Sequence, residues 1–383
     1  MENLATSGAL TDRTVRRAFL AVPREHFLPE TDLAEVYSDK AIVTRKDAHG
    51  APTSSSSQPA IMAVMLERLD LAPGLRVLEI GAGTGYNAAL LSTLVGDTGH
   101  VTSVDVQPDV AAAAAAALRD GGYRAEVVTG DGRVGWPDGA PYDRIVLTAS
   151  TGTVCRAWFD QLAPGGLLQL PLHLKGVDLQ AVVTLRKEDG ALRSTDVAEG
   201  AFMVLRDPDE ASWSYRGSTL SVSEDVRGRH RSFGSLAGDD LRRLTSAARR
   251  RLTALLLTEP RVRRSPGTGG SPTLWLMLAR PKGAVVARYF RSGLDVRRQF
   301  AAAVAALDGG SLAVAVFGPG RRLRLESYGG PDADAVLSGL LASWQDRGRP
   351  GPAALDVTVR YRDDGSPRLK IGWRQPSTES SRR

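Results

Sequence analysis

Residues 77–85 read Val77-Leu78-Glu79-Ile80-Gly81-Ala82-Gly83-Thr84-Gly85: four positions suited to a buried strand, then a Gly-x-Gly-x-Gly turn. A helical pattern follows. This order is how an α/β protein presents backbone N–H groups to a nucleotide-like ligand at the end of its first strand. Twenty residues past Gly85, the strand His100 to Val104 ends in Asp105, where a carboxylate can accept from both ribose hydroxyls. Glycine turns of this kind also serve NAD and FAD, so the motif alone leaves the ligand open.

Outward from this stretch, strand and helix patterns alternate. Strands are expected near 76–80, 100–104, 125–128, 143–148, 167–171 and 179–185, with helices near 60–69, 86–95, 108–119 and 154–162. The alternation predicts a parallel sheet wrapped by helices on both faces. Lys187-Glu188-Asp189-Gly190 predicts a hairpin at its edge. Upstream, residues 11–36 read as a helical segment interrupted by Pro23, and residues 37–58 as a polar turn ending in four serines, Gln58 and Pro59.

A second region begins after Leu205. It carries a strand-like stretch at Ser218–Val222, a linker at Arg263–Pro272, a strand at Leu274–Ala279 and an amphipathic helix at Val296–Leu307. Strands at Leu312–Phe317 and Arg322–Glu326, a helix at Ala333–Asp346, and a hairpin of Asp356–Tyr361 with Leu369–Trp373 complete it. The expected organisation is a domain over 1–205, a basic connecting region over 206–272, an α+β substrate-recognition domain over 273–374, and a disordered tail over 375–383.

The composition bounds the function. With 383 residues the chain suits two domains, and 42% hydrophobic with 24% charged residues describes a globular protein with a substantial core. No apolar run approaches the roughly 18–20 residues that span a bilayer. The N-terminus shows no secretory pattern, so a cytoplasmic protein without membrane association is expected. The single cysteine, Cys155, rules out an internal disulfide, and the histidines show no metal-ligand spacing; no metal is expected. The net charge of +6 gathers between Leu241 and Arg264, where eight arginines face one acid, Glu259. A solvated face is the first reading of that cluster and a surface for an acidic peptide the second. Nucleic acid comes third, because no aromatic residue interleaves to stack on bases.

Three features separate methyl transfer from hydride transfer. Gly130-Asp131-Gly132 follows the strand at Ala125–Val128, where an acid can accept from an adenine amino group. Ala140-Pro141-Tyr142-Asp143 leads into a strand ending at Thr148, and Leu162-Ala163-Pro164-Gly165-Gly166-Leu167 is a helix exit before the next one. Acids after successive strands suit a cationic ligand rich in hydroxyls better than a pyrophosphate. S-adenosylmethionine is such a ligand. Glu79 would hold its amino group or orient the loop, and Gly81 and Gly83 would let its methionyl end approach the backbone.

With these motifs in place, residues 11–205 resemble the protein-L-isoaspartate O-methyltransferases. Val22-Pro23-Arg24-Glu25-His26-Phe27-Leu28-Pro29 is similar to that family's entry segment, and Ser57-Gln58-Pro59 to the segment whose serine lies beside the reacting carboxylate. Leu170-Pro171-Leu172 and Phe202-Met203-Val204-Leu205 resemble its last strands. The resemblance implies a Rossmann-like class I methyltransferase sheet using S-adenosylmethionine, with a C-terminal α+β domain added here. It implies Ser57 as the catalytic residue, with Ser56 as an alternative within the serine run. Glu79, Gly81, Ala82, Gly83, Asn87, Asp105, Val106, Gly130, Asp131, Gly132 and Thr148 would hold the cofactor. Gln58, Ala149 and Ser150, with Ser56 and Tyr328, would meet substrate.

The second half prompts a finer expectation. Glu326-Ser327-Tyr328-Gly329-Gly330, Trp344, Gly348-Arg349-Pro350-Gly351 and Asp356-Val357-Thr358-Val359 resemble the extension of homologues encoded with ribosomally synthesised modified peptides (lanthipeptides, graspetides or lasso peptides). That resemblance implies methylation of an ordinary aspartate in a constrained peptide, an acidic one being one reading, the ester closing to an aspartimide. The alternative is repair of isoaspartyl residues in damaged proteins. Bland readings stand beside these: Ser54–Ser57 as a turn and helix cap, Cys155 as an ordinary helix residue, and Trp344 and Trp373 as core of the second domain.

Overall fold

The computed structural model describes residues 8–50, 52–174, 179–200, 202–205, 219–226, 229–265, 270–290, 300–317 and 323–374. The tail over 375–383, residues 206–218 and the linker core at 266–269 lie outside them. The chain divides into two compact units, the first built from Met1–Leu172, Gln180–Trp213 and Leu355–Trp373, the second chiefly from Ser214–Ala354.

The first unit opens with α1 (Arg13–Ala21), capped by Asp12, whose carboxylate accepts from the Thr14 and Val15 N–H groups. A 3-10 turn at Arg24–Phe27 and the short α2 (Leu33–Val36) follow. The stretch expected to be only polar turn then forms a hairpin of β1 (Ile42–Lys46) and β2 (Pro52–Ser56). One proline, one threonine and three serines give β2 no apolar alternation to read. Thr53, Ser54 and Ser56 are nonetheless buried, covered by their surroundings. Pro59 then opens α3 (Pro59–Arg68) at its first turn, where a missing N–H costs nothing.

From there the alternation follows the sequence pattern: β3 (Arg76–Ile80), α4 (Tyr86–Val95), β4 (His100–Asp105), α5 (Pro108–Asp120), β5 (Glu126–Thr129), β6 (Tyr142–Leu147), α6 (Arg156–Gln161), β7 (Leu162–His173), β8 (Gln180–Glu188) and β9 (Ala191–Glu199). Asp189 and Gly190, both with positive φ, make the two-residue turn between β8 and β9. Strand β3 lies between β4 and β6, parallel to both. The chain therefore steps outward through β4 and β5, then returns to the other side of β3. A crevice opens at such a reversal, beyond the carboxyl ends of the strands. Val77, Leu78, Ile80, Ile145, Val146 and Leu147 are buried, as central parallel strands covered on both faces require.

The C-terminal hairpin (Leu355–Tyr361 with Pro367–Trp373), grouped in the sequence reading with the second domain, pairs instead with β9 through Thr358↔Arg193 and Val359↔Leu192. It extends the first sheet to nine strands, in the order hairpin, β9, β8, β7, β6, β3, β4, β5. This is the mixed sheet of a class I methyltransferase. Sequence order could not show that the chain returns to it after about 150 residues.

In the second unit, β10 (Thr219–Val226), β11 (Arg229–Ala237), α7 (Ser246–Leu256), β12 (Arg261–Ser265), α8 (Thr273–Leu278), β13 (Ala284–Phe290), β14 (Phe300–Ala306), β15 (Ser311–Phe317), β16 (Leu323–Gly329) and α9 (Asp332–Asp346) build an antiparallel sheet and its helices. The strand order is β10-β11-β13-β14-β15-β16-β12. The expected basic connecting region thus supplies three strands and a helix of this unit. Two expectations fail here. Leu274–Ala279, read as a strand, is α8, because a short apolar run looks the same in either state. The helix expected over 296–307 is the central strand β14 where described, 296–299 lying outside. Ala301, Ala302, Ala303, Val304, Ala305 and Ala306 are all buried there. Alanine's helix preference is a fraction of a kcal/mol per residue, and two flanking strands with α8 and α9 packed on them outweigh it.

Candidate active site

A cleft of about 310 Å³ lies at the carboxyl ends of β3 and β4, lined by residues of the first unit. Its floor is the glycine loop. Gly81 has φ +103°, and a Cβ there would run into Thr148 Oγ1; Gly83 has φ +54°, with the Ser55 carbonyl oxygen 3.4 Å from where its Cβ would sit. Both have the left-handed backbone that glycine adopts freely, and at Gly81 Thr148 leaves no room for a side chain. Thr148 closes the loop from the β6 side, its hydroxyl donating to the Gly81 carbonyl at 2.6 Å.

Asp105, at the end of β4, faces the cleft. Its carboxylate accepts from Gly83 N–H at 3.1 Å and Gln107 N–H at 3.0 Å. Burial raises its pKa and these backbone donors oppose the rise. Val106, Gly132, Ala149, Ser57 and Gln58 also line the cleft, so the structure brings these expected residues together. Ala82 and Asn87 border a smaller adjoining cavity with Ser55, Ser56 and Ser57.

Other expected residues act from behind the wall. Glu79 is fully buried and accepts from Asn87 Nδ2 at 2.8 Å and Ser103 Oγ at 2.5 Å. Of its two suggested roles, this geometry is that of an orienting group. Gly130 and Asp131 do not line the cleft; both Asp131 oxygens accept from Arg133, at 2.8–3.0 Å. Ser150 is buried, and its backbone pairs with Met203 and Leu205 at 2.7 Å each. It pins the 202–205 segment, which forms a cleft wall, and is not itself exposed to substrate. Gln180 holds the same segment through Phe202, accepting from its N–H at 2.7 Å and donating to its carbonyl at 3.0 Å.

The assignment of Tyr328 to a surface contact is corrected. It is 3% exposed in the core of the second unit, its hydroxyl 3.0 Å from Glu326 Oε2 and 3.2 Å from Tyr289 Oη. The neighbouring glycines suggested a surface turn, yet β16 runs through Tyr328 and turns it inward. Cys155 has a thiol that burial pushes up to about 11, unsuited to nucleophilic work. The arginine cluster spreads over a 3-10 turn, α7 and β12. Much of it is tied locally: Arg249 to the Leu241 carbonyl, Arg261 to that of Gly329, and Arg263 to Asp334.

Sequence reasoning missed Thr53, Ser54, Ser55, Gln107 and Ile61, which line the cleft. It also gave no role to Arg24. That residue is 2% exposed; Nη2 donates to the Ser57 carbonyl at 2.9 Å and Ser56 Oγ at 3.3 Å, and Nη1 to the Val36 carbonyl at 2.7 Å. Its only sequence signal was its place in the Val22–Pro29 motif.

The cleft wall fits S-adenosylmethionine. Its described lining contains no lysine or arginine, and its two acids are Asp105 and Glu199. A pyrophosphate would find no counter-charge there, whereas a sulfonium and a ribose diol find a carboxylate and open backbone. When bound, S-adenosylmethionine supplies an electrophilic methyl group. Gly81, Gly83, Asp105, Val106, Gly132 and Thr148 line the cleft and would hold it.

Fold and cleft together define an S-adenosylmethionine-dependent methyltransferase of class I. A profile of the family "Protein-L-isoaspartate(D-aspartate) O-methyltransferase (PCMT)" matches residues 1–210, and the chain belongs to that family of carboxyl O-methyltransferases. A Hyperthermus butylicus protein named protein-L-isoaspartate O-methyltransferase is 35% identical over 214 residues, 54% of this chain and 86% of that one. A Thermotoga maritima protein of the same name is 40% identical over 177 residues, 46% of this chain and 55% of that one. A solved structure bearing that name matches with a TM-score of 0.53 and 25% identity, covering 96% of each chain.

Proposed function

We propose that this protein methyl-esterifies the free carboxylate of isoaspartyl residues in peptides and proteins. The observation that carries the reading is Ser57, exposed to the cleft beside the glycine loop while Ser56 is buried behind it. A carboxylate is ionised near neutral pH, so the site needs no general base. Its work is to align one oxygen with the methyl group and exclude water. Ser57 hydrogen-bonds and orients the carboxylate; Ala149, Gln58 and Ile61 shape its surroundings. The ester carbonyl is open to attack by the next backbone nitrogen with loss of methanol, and this closure to a succinimide needs no further catalysis.

The finer reading, an ordinary aspartate in a ribosomally synthesised modified peptide, drew its support from the second half. A solved enzyme with the isoaspartate name spans 96% of this chain, so the second half does not by itself call for a different substrate. Mass spectrometry separates the two. An isoaspartyl test peptide should gain a methyl group and then lose methanol to a succinimide. Modification of a constrained peptide carrying normal aspartate, with the isoaspartyl peptide untouched, would overturn the proposal. Ser57→Ala should lower kcat by about twentyfold, the worth of one hydrogen bond to a charged group, with S-adenosylhomocysteine affinity nearly unchanged. A large loss of that affinity in calorimetry would remove Ser57 from the substrate side.

A further inference from the structure

We infer that Arg24 is the positioning residue that makes this site select a charged carboxylate, acting from behind the Ser56–Ser57 segment. The inference rests on the substrate reading above. A site for an anionic group should contain a cation, and the described cleft lining has none. Arg24 is the buried cation immediately behind Ser57.

Three observations point to a charge available to substrate. The first is that, among the described residues, the hydrogen-bond acceptors of its guanidinium are neutral: the carbonyls of Val36, Ser38, Lys40 and Ser57 and the Ser56 hydroxyl. No carboxylate forms an ion pair with it among the described residues, and its Nε lacks a partner. Secondly, Asp39, an acid whose field favours the charged guanidinium, makes no direct contact with it; its oxygens accept from Gln58 Nε2 at 2.8 Å and Ala60 N–H at 2.9 Å. Finally, the Tyr86 ring lies 5.9 Å from the guanidinium carbon, a contact that favours the charged form. Burial lowers the pKa of Arg24, but a guanidinium stays charged in a protein.

A buried cation with no carboxylate in direct contact is costly, and the cost falls when an anion arrives. The Ser57 carbonyl receives the guanidinium while Ser57 lines the cleft, so the charge and the hydroxyl act on one peptide segment. The N-terminus of α3, two residues on, adds positive potential of the same sign. Arg24 thus both fixes the serine segment and biases it toward a negative ligand.

The test compares an isoaspartyl peptide with the same peptide carrying a neutral amide in place of the reacting carboxylate, the amide assayed as a competitive inhibitor. Wild type should favour the acid. Arg24→Gln should raise KM for the acid by about tenfold or more and erase that preference, with S-adenosylhomocysteine affinity within about threefold of wild type. Arg24→Lys should keep most of the preference. A scaffold role alone would weaken acid and amide equally; an unchanged ratio in Arg24→Gln overturns the inference. Should Arg24→Gln not fold, loss of the preference in a folded Arg24→Lys protein, which retains the charge, overturns it as well. Wild type inactive on the isoaspartyl peptide sinks the substrate reading and this inference with it, whereas an active wild type whose preference survives Arg24→Gln sinks only this one.

Discussion

Gly81→Ala should weaken S-adenosylmethionine binding by about a hundredfold and destabilise the first unit by about 3 kcal/mol. Two costs combine. The first is backbone strain, because φ is +103° at this position and an L side chain rarely adopts that value. The second is overpacking, because the new Cβ meets Thr148 Oγ1, which is held in place by the Ile80 and Gly81 carbonyls. They are separable. Adding Thr148→Ala to Gly81→Ala should recover the overpacking part of the stability and leave the strain, as read by thermal unfolding. Calorimetry reports the binding. Wild-type affinity in a folded Gly81→Ala protein would mean that no ligand approaches this stretch of backbone.

Glu79→Gln should make the protein more stable above neutral pH, by about 3 kcal/mol at pH 8, and have almost no effect near pH 4. Complete burial raises the Glu79 pKa from an ordinary 4.5 to about 7, although Ser103 and Asn87 oppose the rise by donating to the carboxylate. Between these values the folded protein keeps a proton that the unfolded chain has released. Wild-type stability from this group is therefore greatest below pH 4.5 and lost as pH rises through 7. Glutamine keeps an acceptor for Asn87 and offers Ser103 a donor, so the variant lacks the ionisation cost without losing the network. Denaturant unfolding from pH 4 to 8 checks this. A difference between the two proteins that stays flat with pH would show that Glu79 does not titrate in that range.

The buried pair Glu79 and Arg24 also shows what local reading reaches. Both belong to motifs that were legible in the sequence, yet neither lines the cleft. Glu79 works through Asn87, and Arg24 through the serine segment. Sequence order carries no sign of which face of a wall a side chain occupies. The same gap explains Asp131, whose carboxylate turns to Arg133, and Ser150, which holds the 202–205 wall.

A truncation at Leu205, natural from the linear reading, would strip the C-terminal hairpin from the first sheet and expose the edge of β9. Removing residues between the two returns of the chain is the sounder way to isolate the first unit.

By itself the sequence determined the parallel sheet, the glycine turn, the acid after β4 and the class of cofactor. These are local signals: period, turn chemistry and the short spacing between a strand and its loop. Tertiary structure alone decided that the C-terminal hairpin closes the first sheet, that an alanine-rich stretch is the middle strand of the second, and that Tyr328 is core. It also set Ser57 in the cleft and Ser56 behind it. Each of these depends on partners distant in sequence, and packing against such partners outweighs propensities worth a fraction of a kcal/mol per residue.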